Sequence, residues 1–270
     1  MPSLHRVKQD IIHVCQRLYQ RDLVSTNEGN VSVRTGEDRL VLTPTGKSKG
    51  FLTVADLVET DMSGKPLKKG QKASSEIKIH IRAYEKRPDV RAAVHAHPVT
   101  ATGYAVAGVP FNECILPEIV LTLGKVPIVP YGTPSTEELP DALEPYLPNH
   151  DAFLLANHGA LTLGSDVVSA YHKMESLEHA AKIVLVARLM GEPKLLSHKE
   201  VQRLLDIRER YNLTGVNPGC NIYGKQDLAS TVYQGQVSPA GSAAASRTDE
   251  ESLRSLVERI TREVLGKLGT

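Results

Sequence analysis

Val90-Arg91-Ala92-Ala93-Val94-His95-Ala96-His97-Pro98 is the stretch from which this chain is best read. Val90 to His95 is apolar enough for a buried strand, and Pro98 then opens a small-residue helix over Thr100 to Ala107. Two histidines at i and i+2 on a strand point to the same face. Their Cα atoms stand roughly 6.6 Å apart at about 3.3 Å per residue. That span lets two imidazoles converge on one metal ion at about 2.0–2.1 Å each. A pair of exposed strand histidines is the plainer explanation, but Ala92-Ala93-Val94, Ala96 and Pro98 are not a surface composition. His158, in Asn157-His158-Gly159, is the candidate third ligand. Three nitrogens leave one coordination position open, as a catalytic metal needs.

Outward from this stretch, helical and strand patterns alternate. Residues 4–22 carry Leu4, Val7, Ile11, Val14, Cys15 and Leu18 at helical spacing. The turn Asn27-Glu28-Gly29-Asn30 leads into the alternating strand Val31-Ser32-Val33-Arg34. A second strand, Arg39 to Leu42, ends at Thr43-Pro44-Thr45-Gly46. Residues 54–61 predict a short helical start and a strand. Ser74 or Ser75 predicts an N-cap for a helix to Lys86, stopped at Pro88. Val126 to Pro130 and Ala152 to Ala156 read as strands, Ser165 to Leu189 as one long helix, and Lys199 to Arg210 as a shorter one. The sum is an α/β domain.

The bulk composition narrows the function. With 270 residues, 41% of them hydrophobic, the chain suffices for one sizeable domain and an appendage. A net charge of +1 suggests neither a nucleic-acid nor a membrane surface, and no apolar run is long enough to span a bilayer. Met1 to Asp10 lacks the apolar region of a signal peptide. Cys15, Cys114 and Cys220 lie far apart and form neither a CxxC pair nor an even set, which predicts free thiols in a reducing cytosol. With aromatics at 4%, the core must be aliphatic.

Other residues carry both a plain and a chemical reading. Glu76, after two serines at a helix start, is a first-turn carboxylate favoured by the helix dipole, or a general base beside the metal. Gly29-Asn30, Thr45-Gly46 and Ser74-Ser75 are small, donor-rich segments. Each alone is an ordinary turn, and together they could cradle a phosphate. Histidines 5, 13, 80, 150, 172, 179 and 198 read as residents of polar helix faces and loops.

Glu28-Gly29-Asn30-Val31-Ser32, Thr43-Pro44-Thr45-Gly46, Ser74-Ser75-Glu76, His95-Ala96-His97-Pro98 and Asn157-His158-Gly159-Ala160 resemble, in order, the motifs of the class II aldolase/adducin family. The resemblance covers about residues 5–215. It implies a three-layer α/β/α sandwich with a central mixed, largely antiparallel sheet. It implies Zn²⁺ on His95, His97 and His158, with Glu76 as catalytic acid/base and as a further ligand when substrate is absent. Gly29, Asn30, Thr45, Gly46, Ser74 and Ser75 would bind the substrate phosphate, and Tyr211 would close the site. The expected activity is retro-aldol cleavage of a ketose 1-phosphate of the L-fuculose type in a cyclic homotetramer. One departure is Ile115-Leu116-Pro117-Glu118-Ile119, which lacks the tyrosine that the fuculose branch carries in this segment; Glu118 is the polar residue available there. Rhamnulose or 5-deoxypentulose 1-phosphates, a methylthioribulose-phosphate-type dehydration and a sugar-phosphate 4-epimerisation are the alternatives. The epimerase branch usually has Asp where this chain has Glu76. Adducin-like scaffolds lack the three histidines.

The C-terminus lies outside that pattern. Residues 1–225 make the catalytic domain, and residues 226–247, rich in Ser, Ala, Gln and Gly, read as a flexible linker. Within residues 248–270, Thr248 to Glu251 fits a capping box, and Leu253, Leu256, Val257, Ile260, Val264 and Leu268 form one helical stripe. Such a helix on a linker resembles an encapsulation peptide, which predicts a shell-protein partner and a bacterial microcompartment.

Overall fold

A computed structural model describes residues 3–220; the linker and amphipathic helix read from the sequence lie outside the described residues. Helix α1 (Leu4–Gln20) is capped by Ser3, whose side chain accepts from the Arg6 N–H, and it buries Val7, Ile11, Val14, Cys15 and Leu18. Seven strands follow: β1 (Asn30–Gly36), β2 (Arg39–Leu42), β3 (Val58–Thr60), β4 (Ala92–Ala96), β5 (Ile128–Val129), β6 (Ala152–Leu155) and β7 (Gly159–Gly164). They form one sheet in the order β3-β2-β1-β4-β7-β6-β5. Among the described strands, only β5 and β6 pair in parallel.

Alternation along the strands builds two cores. Val31, Val33, Ala92, Val94, Ala96, Ala152, Leu154 and Ala160 face α1, α3 (Val99–Ala107) and the long α6 (Val167–Met190). Leu40, Leu42, Ala93, Phe153, Leu155, Leu161 and Leu163 face α2 (Ile77–Lys86) and α5 (Glu138–Leu143). The result is the expected three-layer sandwich. Its core is mostly aliphatic, although Tyr84, Tyr171 and Phe153 are among its largest fully buried side chains, and each fully buried apolar side chain contributes roughly 1.5–3 kcal/mol.

The structure adds three elements and corrects two readings. The glycine-flanked Gly159–Gly164, left unassigned by the sequence pattern, is a strand buried along its whole length. Two short helices beginning near prolines or acids, α4 (Pro117–Thr122) and α5, carried too few turns to show periodicity. Helix α2 starts at Ile77 with Glu76 in the cap position, so neither serine is the N-cap. Finally, Cys114 and Cys220 are joined in a disulfide across 106 residues, leaving only Cys15 free, so the expectation of three free thiols does not hold. Cys114 sits in a small cluster with Val120 and Val201, the latter on α7 (His198–Arg210). The chain after α7 folds back to reach it: Asn217 Nδ2 donates to the Val120 carbonyl, and the Val216 N–H donates to Asp151. Sequence spacing carries no signal for such a return.

Candidate metal centre and active site

Sheet register brings the histidines together. His95 lies opposite Asn30 on β1 and opposite Leu161 on β7. The β6–β7 turn, with Asn157 at φ 55° and the His158 N–H bonded to the Leu155 carbonyl, carries His158 to the same end of the sheet. Strand β4 ends at Ala96, and His97 stands just beyond it, tied by its N–H to the Leu23 carbonyl. The next helix, α3, opens after Pro98. Its first N–H groups at Thr100 and Ala101 are taken up by the buried Glu178 carboxylate from α6. This fixes the chain as it leaves His97.

The three rings form a mutual edge-to-face cluster with centroids 4.7–5.0 Å apart. One ligand nitrogen from each lies within 4.8 Å of the others. His95 and His97 Nε2 are 3.2 Å apart. Two nitrogens at 2.0–2.1 Å from a tetrahedral ion would be about 3.3 Å apart. His95 Nδ1 is 2.9 Å from the Ala160 carbonyl, to which it donates, so its Nε2 lone pair is left for a cation. Burial, reinforced by His95 and then His158, pushes the His97 pKa down to about 3, which keeps that ring neutral. The donor set fits a divalent transition metal.

Two glycines permit this packing. A Cβ on Gly159 would stand 2.5 Å from His97 Cδ2 and 2.6 Å from the Ala96 carbonyl. Gly29 has φ +74°, and a Cβ there would approach the His95 carbonyl to 2.7 Å.

Glu76 completes the cluster. Its Oε1 is 3.0 Å from His158 Nε2 and its Oε2 3.5 Å from His95 Nε2. Asn30 Nδ2 donates to Oε2 at 3.2 Å, which links the Gly29-Asn30 segment to the carboxylate. Burial opposes ionisation of Glu76, but the adjoining His158 and His95 outweigh it and hold the carboxyl well below the ordinary range.

The three donor-rich segments adjoin one another. Pro44 bridges Ala73, and the Thr45 N–H donates to the Lys72 carbonyl. Gly46, at φ +69°, has open space around it, and Thr45 and Ser75 are exposed. Ser74 is buried and accepts from the Glu76 N–H at 3.4 Å. Tyr211 caps the end of α7, 69% exposed, with no hydrogen bond or ring contact to the cluster among the described residues. Glu118 is exposed in the first turn of α4.

His80 departs from its expected place on a polar face: it is fully buried. Its Nδ1 is 2.7 Å from Ser32 Oγ, which is also 2.7 Å from Tyr84 OH, and Tyr84 donates to the Ser32 carbonyl. Burial, helped by His95 and opposed by Glu76, lowers the His80 pKa to about 3. The sequence did hold a signal, since Glu76, His80 and Tyr84 recur every fourth residue and share one helical face.

The site can therefore hold a metal with an ionised carboxylate beside it and several backbone turns at its edge. Residues 9–185 match the family described as Class II Aldolase and Adducin N-terminal domain. An L-fuculose phosphate aldolase of Methanocaldococcus jannaschii is 37% identical over 183 residues, 68% of this chain and 98% of that one. A 3-oxo-tetronate 4-phosphate decarboxylase of Haemophilus influenzae is 34% identical over 202 residues, 73% and 95% of the two chains. A solved L-fuculose 1-phosphate aldolase superposes with a TM-score of 0.70 at 30% identity, covering 79% of this chain and 99% of its own. By sequence and by fold, the chain belongs to the class II aldolase and adducin family.

Proposed function

We propose that this protein is a metal-dependent lyase that cleaves a ketose 1-phosphate of the L-fuculose type to dihydroxyacetone phosphate and L-lactaldehyde. The observation that carries the reading is the ionised Glu76 carboxylate, 3.0 Å from His158 Nε2 in a cluster of three imidazoles, with three donor-rich turns beside it. Zn²⁺ is the proposed ion, one per subunit, held by His95, His97 and His158. Glu76 is an added ligand when substrate is absent. When bound, the ion supplies Lewis-acid stabilisation of negative charge on the substrate's C2 oxygen, a contribution of several kcal/mol.

The remaining steps fall to side chains and turns. In the cleavage direction the C4 hydroxyl gives its proton to solvent water as C4 becomes the aldehyde carbonyl, the C3–C4 bond breaks with its electron pair left on C3, and C3 takes up a proton. Glu76 is the proposed acid/base at C3, and the Asn30 amide on Oε2 holds the carboxylate in place. Gly29, Asn30, Thr45, Gly46, Ser74 and Ser75 are the proposed phosphate donors, so that binding energy remote from the reacting bond orients it. The exposed Tyr211 is proposed to act on a site only after assembly of a homotetramer.

A second reading has a specific support, the resemblance to 3-oxo-tetronate 4-phosphate decarboxylases. Loss of carbon dioxide from a 3-oxo acid also leaves negative charge beside a carbonyl, so the same metal and phosphate residues would serve. The deciding experiment offers L-fuculose 1-phosphate to the metal-loaded protein and couples dihydroxyacetone phosphate to a dehydrogenase. Release that stops on chelation supports the aldolase. Carbon dioxide from 3-oxo-tetronate 4-phosphate, with no release from fuculose, rhamnulose or deoxypentulose phosphates, moves the assignment to the decarboxylase.

The cellular setting belongs to the same proposal. Among the described residues no helix is long and apolar enough to cross a membrane. A cytoplasmic enzyme carried into a microcompartment by residues 248–268 fits a reaction that yields a reactive aldehyde. The support is the capping box and apolar stripe of that segment. A fluorescent protein fused to residues 226–270 that stays diffuse in shell-producing cells would overturn this part.

A further inference from the structure

Lys49 is a lysine with almost no exposed surface, at 1%. It lies in the single 3-10 turn Lys49–Phe51 that follows the Thr45-Gly46 segment. The turn is held close to α1: a Cβ on Gly50 would stand 2.5 Å from the Tyr19 ring. The Lys49 Nζ donates to the Asn27 carbonyl at 2.5 Å and to the Lys47 carbonyl at 3.1 Å. One ammonium thereby joins the turn before β1 to the turn after β2.

Its charge is not matched by its contacts. Both acceptors are neutral carbonyls, and no described carboxylate pairs with Nζ. The neighbouring Lys47 is instead paired with Asp56. Glu28, whose carboxylate is occupied by the Ser25 and Thr26 N–H groups, acts on Lys49 only through space, as does Glu76. A buried ammonium left with neutral partners is electrostatically unfavourable. The balance improves if an anion binds above it. The exposed faces of the two joined turns are where such an anion would sit, since Gly46 and Thr45 leave open space there.

We propose that Lys49 is a positioning residue for a phosphate dianion: its ammonium ties the Asn27–Asn30 and Thr45–Lys47 turns together from below and supplies the buried positive charge that the anion neutralises. This rests on the reading of those turns as the phosphate cradle. It adds a residue that touches no substrate atom and acts through backbone and field.

The test is calorimetric titration of inorganic phosphate into the metal-loaded full chain, with metal content and melting temperature recorded for every variant. Lys49→Met is expected to weaken phosphate binding tenfold or more with metal content unchanged. Lys86→Met, which removes a surface charge paired with Glu144 outside the two turns, is expected to leave it within twofold. If Lys49→Met does not fold, Lys49→Gln, which keeps a donor for Asn27 without the charge, is read by the same criteria. Wild-type binding with undiminished binding by the uncharged variant overturns the role of Lys49 and leaves the phosphate cradle standing. No phosphate binding by the wild type overturns the cradle itself, and the inference with it.

Discussion

Gly159 and His97 are in such close apposition that a single methyl group on Gly159 would fall 2.5 Å from the imidazole Cδ2. The same Cβ would meet the Ala96 carbonyl at 2.6 Å, so the strand cannot relieve the clash by a side-chain rotation alone. Gly159→Ala is therefore expected to displace His97 and weaken metal binding by about 10–100-fold, the range seen when ligand orientation is disturbed. Metal content after dialysis against graded chelator measures this. A variant that holds its metal as tightly as wild type would show that His97 is not a ligand.

Glu76→Gln separates binding from chemistry. The amide keeps the side chain's size and its contact with Asn30 but cannot carry a proton to or from carbon. Turnover is expected to fall about 10²–10⁴-fold, the usual weight of a general acid/base, with metal retained. Near-normal turnover with metal and substrate bound would remove Glu76 from the acid/base role.

How much of this was legible in the sequence depends on whether the signal was local. His95 and His97 announce themselves by parity on one strand, and Glu76 by its place at a helix start. Their convergence with His158 depends on β7, whose terminal glycines hid it, and on the pairing of Leu161 with His95, which is nonlocal. Asn30 was read as a turn donor because its neighbour is glycine. Its amide reaches Glu76, 46 residues away, only once β1 and α2 are packed. Lys49 offered no pattern at all, since a lysine in a turn ordinarily faces water.

The Cys114–Cys220 bond can be counted directly. Of the three cysteines, Cys15 is buried and the other two are joined. Unfolding without reductant should expose one reactive thiol, and unfolding with reductant three. Three thiols without reductant would refute the pairing. Closing a loop of about 100 residues limits the unfolded chain by up to about 4.7 kcal/mol in the chain-entropy account. Cys114→Ser is thus expected to lower the denaturant midpoint without changing metal content.

His80 gives the fold a pH dependence with a definite sign. Its pKa is about 3 in the native protein, lowered by burial first and by His95, while Glu76 opposes the shift. In the unfolded chain an imidazole titrates near 6.5. Between those values the unfolded state binds a proton that the native state refuses, so His80's contribution is complete above about pH 6.5 and declines as pH falls towards 3. Glu76 is held low, so its own contribution persists down to the ordinary carboxylate range and leaves pH 4.5–6 as the window for histidines. His97, also pushed down to about 3, acts in the same direction. His80→Asn keeps an acceptor where Nδ1 meets Ser32 and removes one of these protons. Urea unfolding of the metal-free variant across that window should show a slope shallower than wild type by about 1.4 kcal/mol per pH unit. Equal slopes would mean that His80 is protonated in the native fold, and that the Ser32–His80–Tyr84 network accepts a charge behind the metal centre.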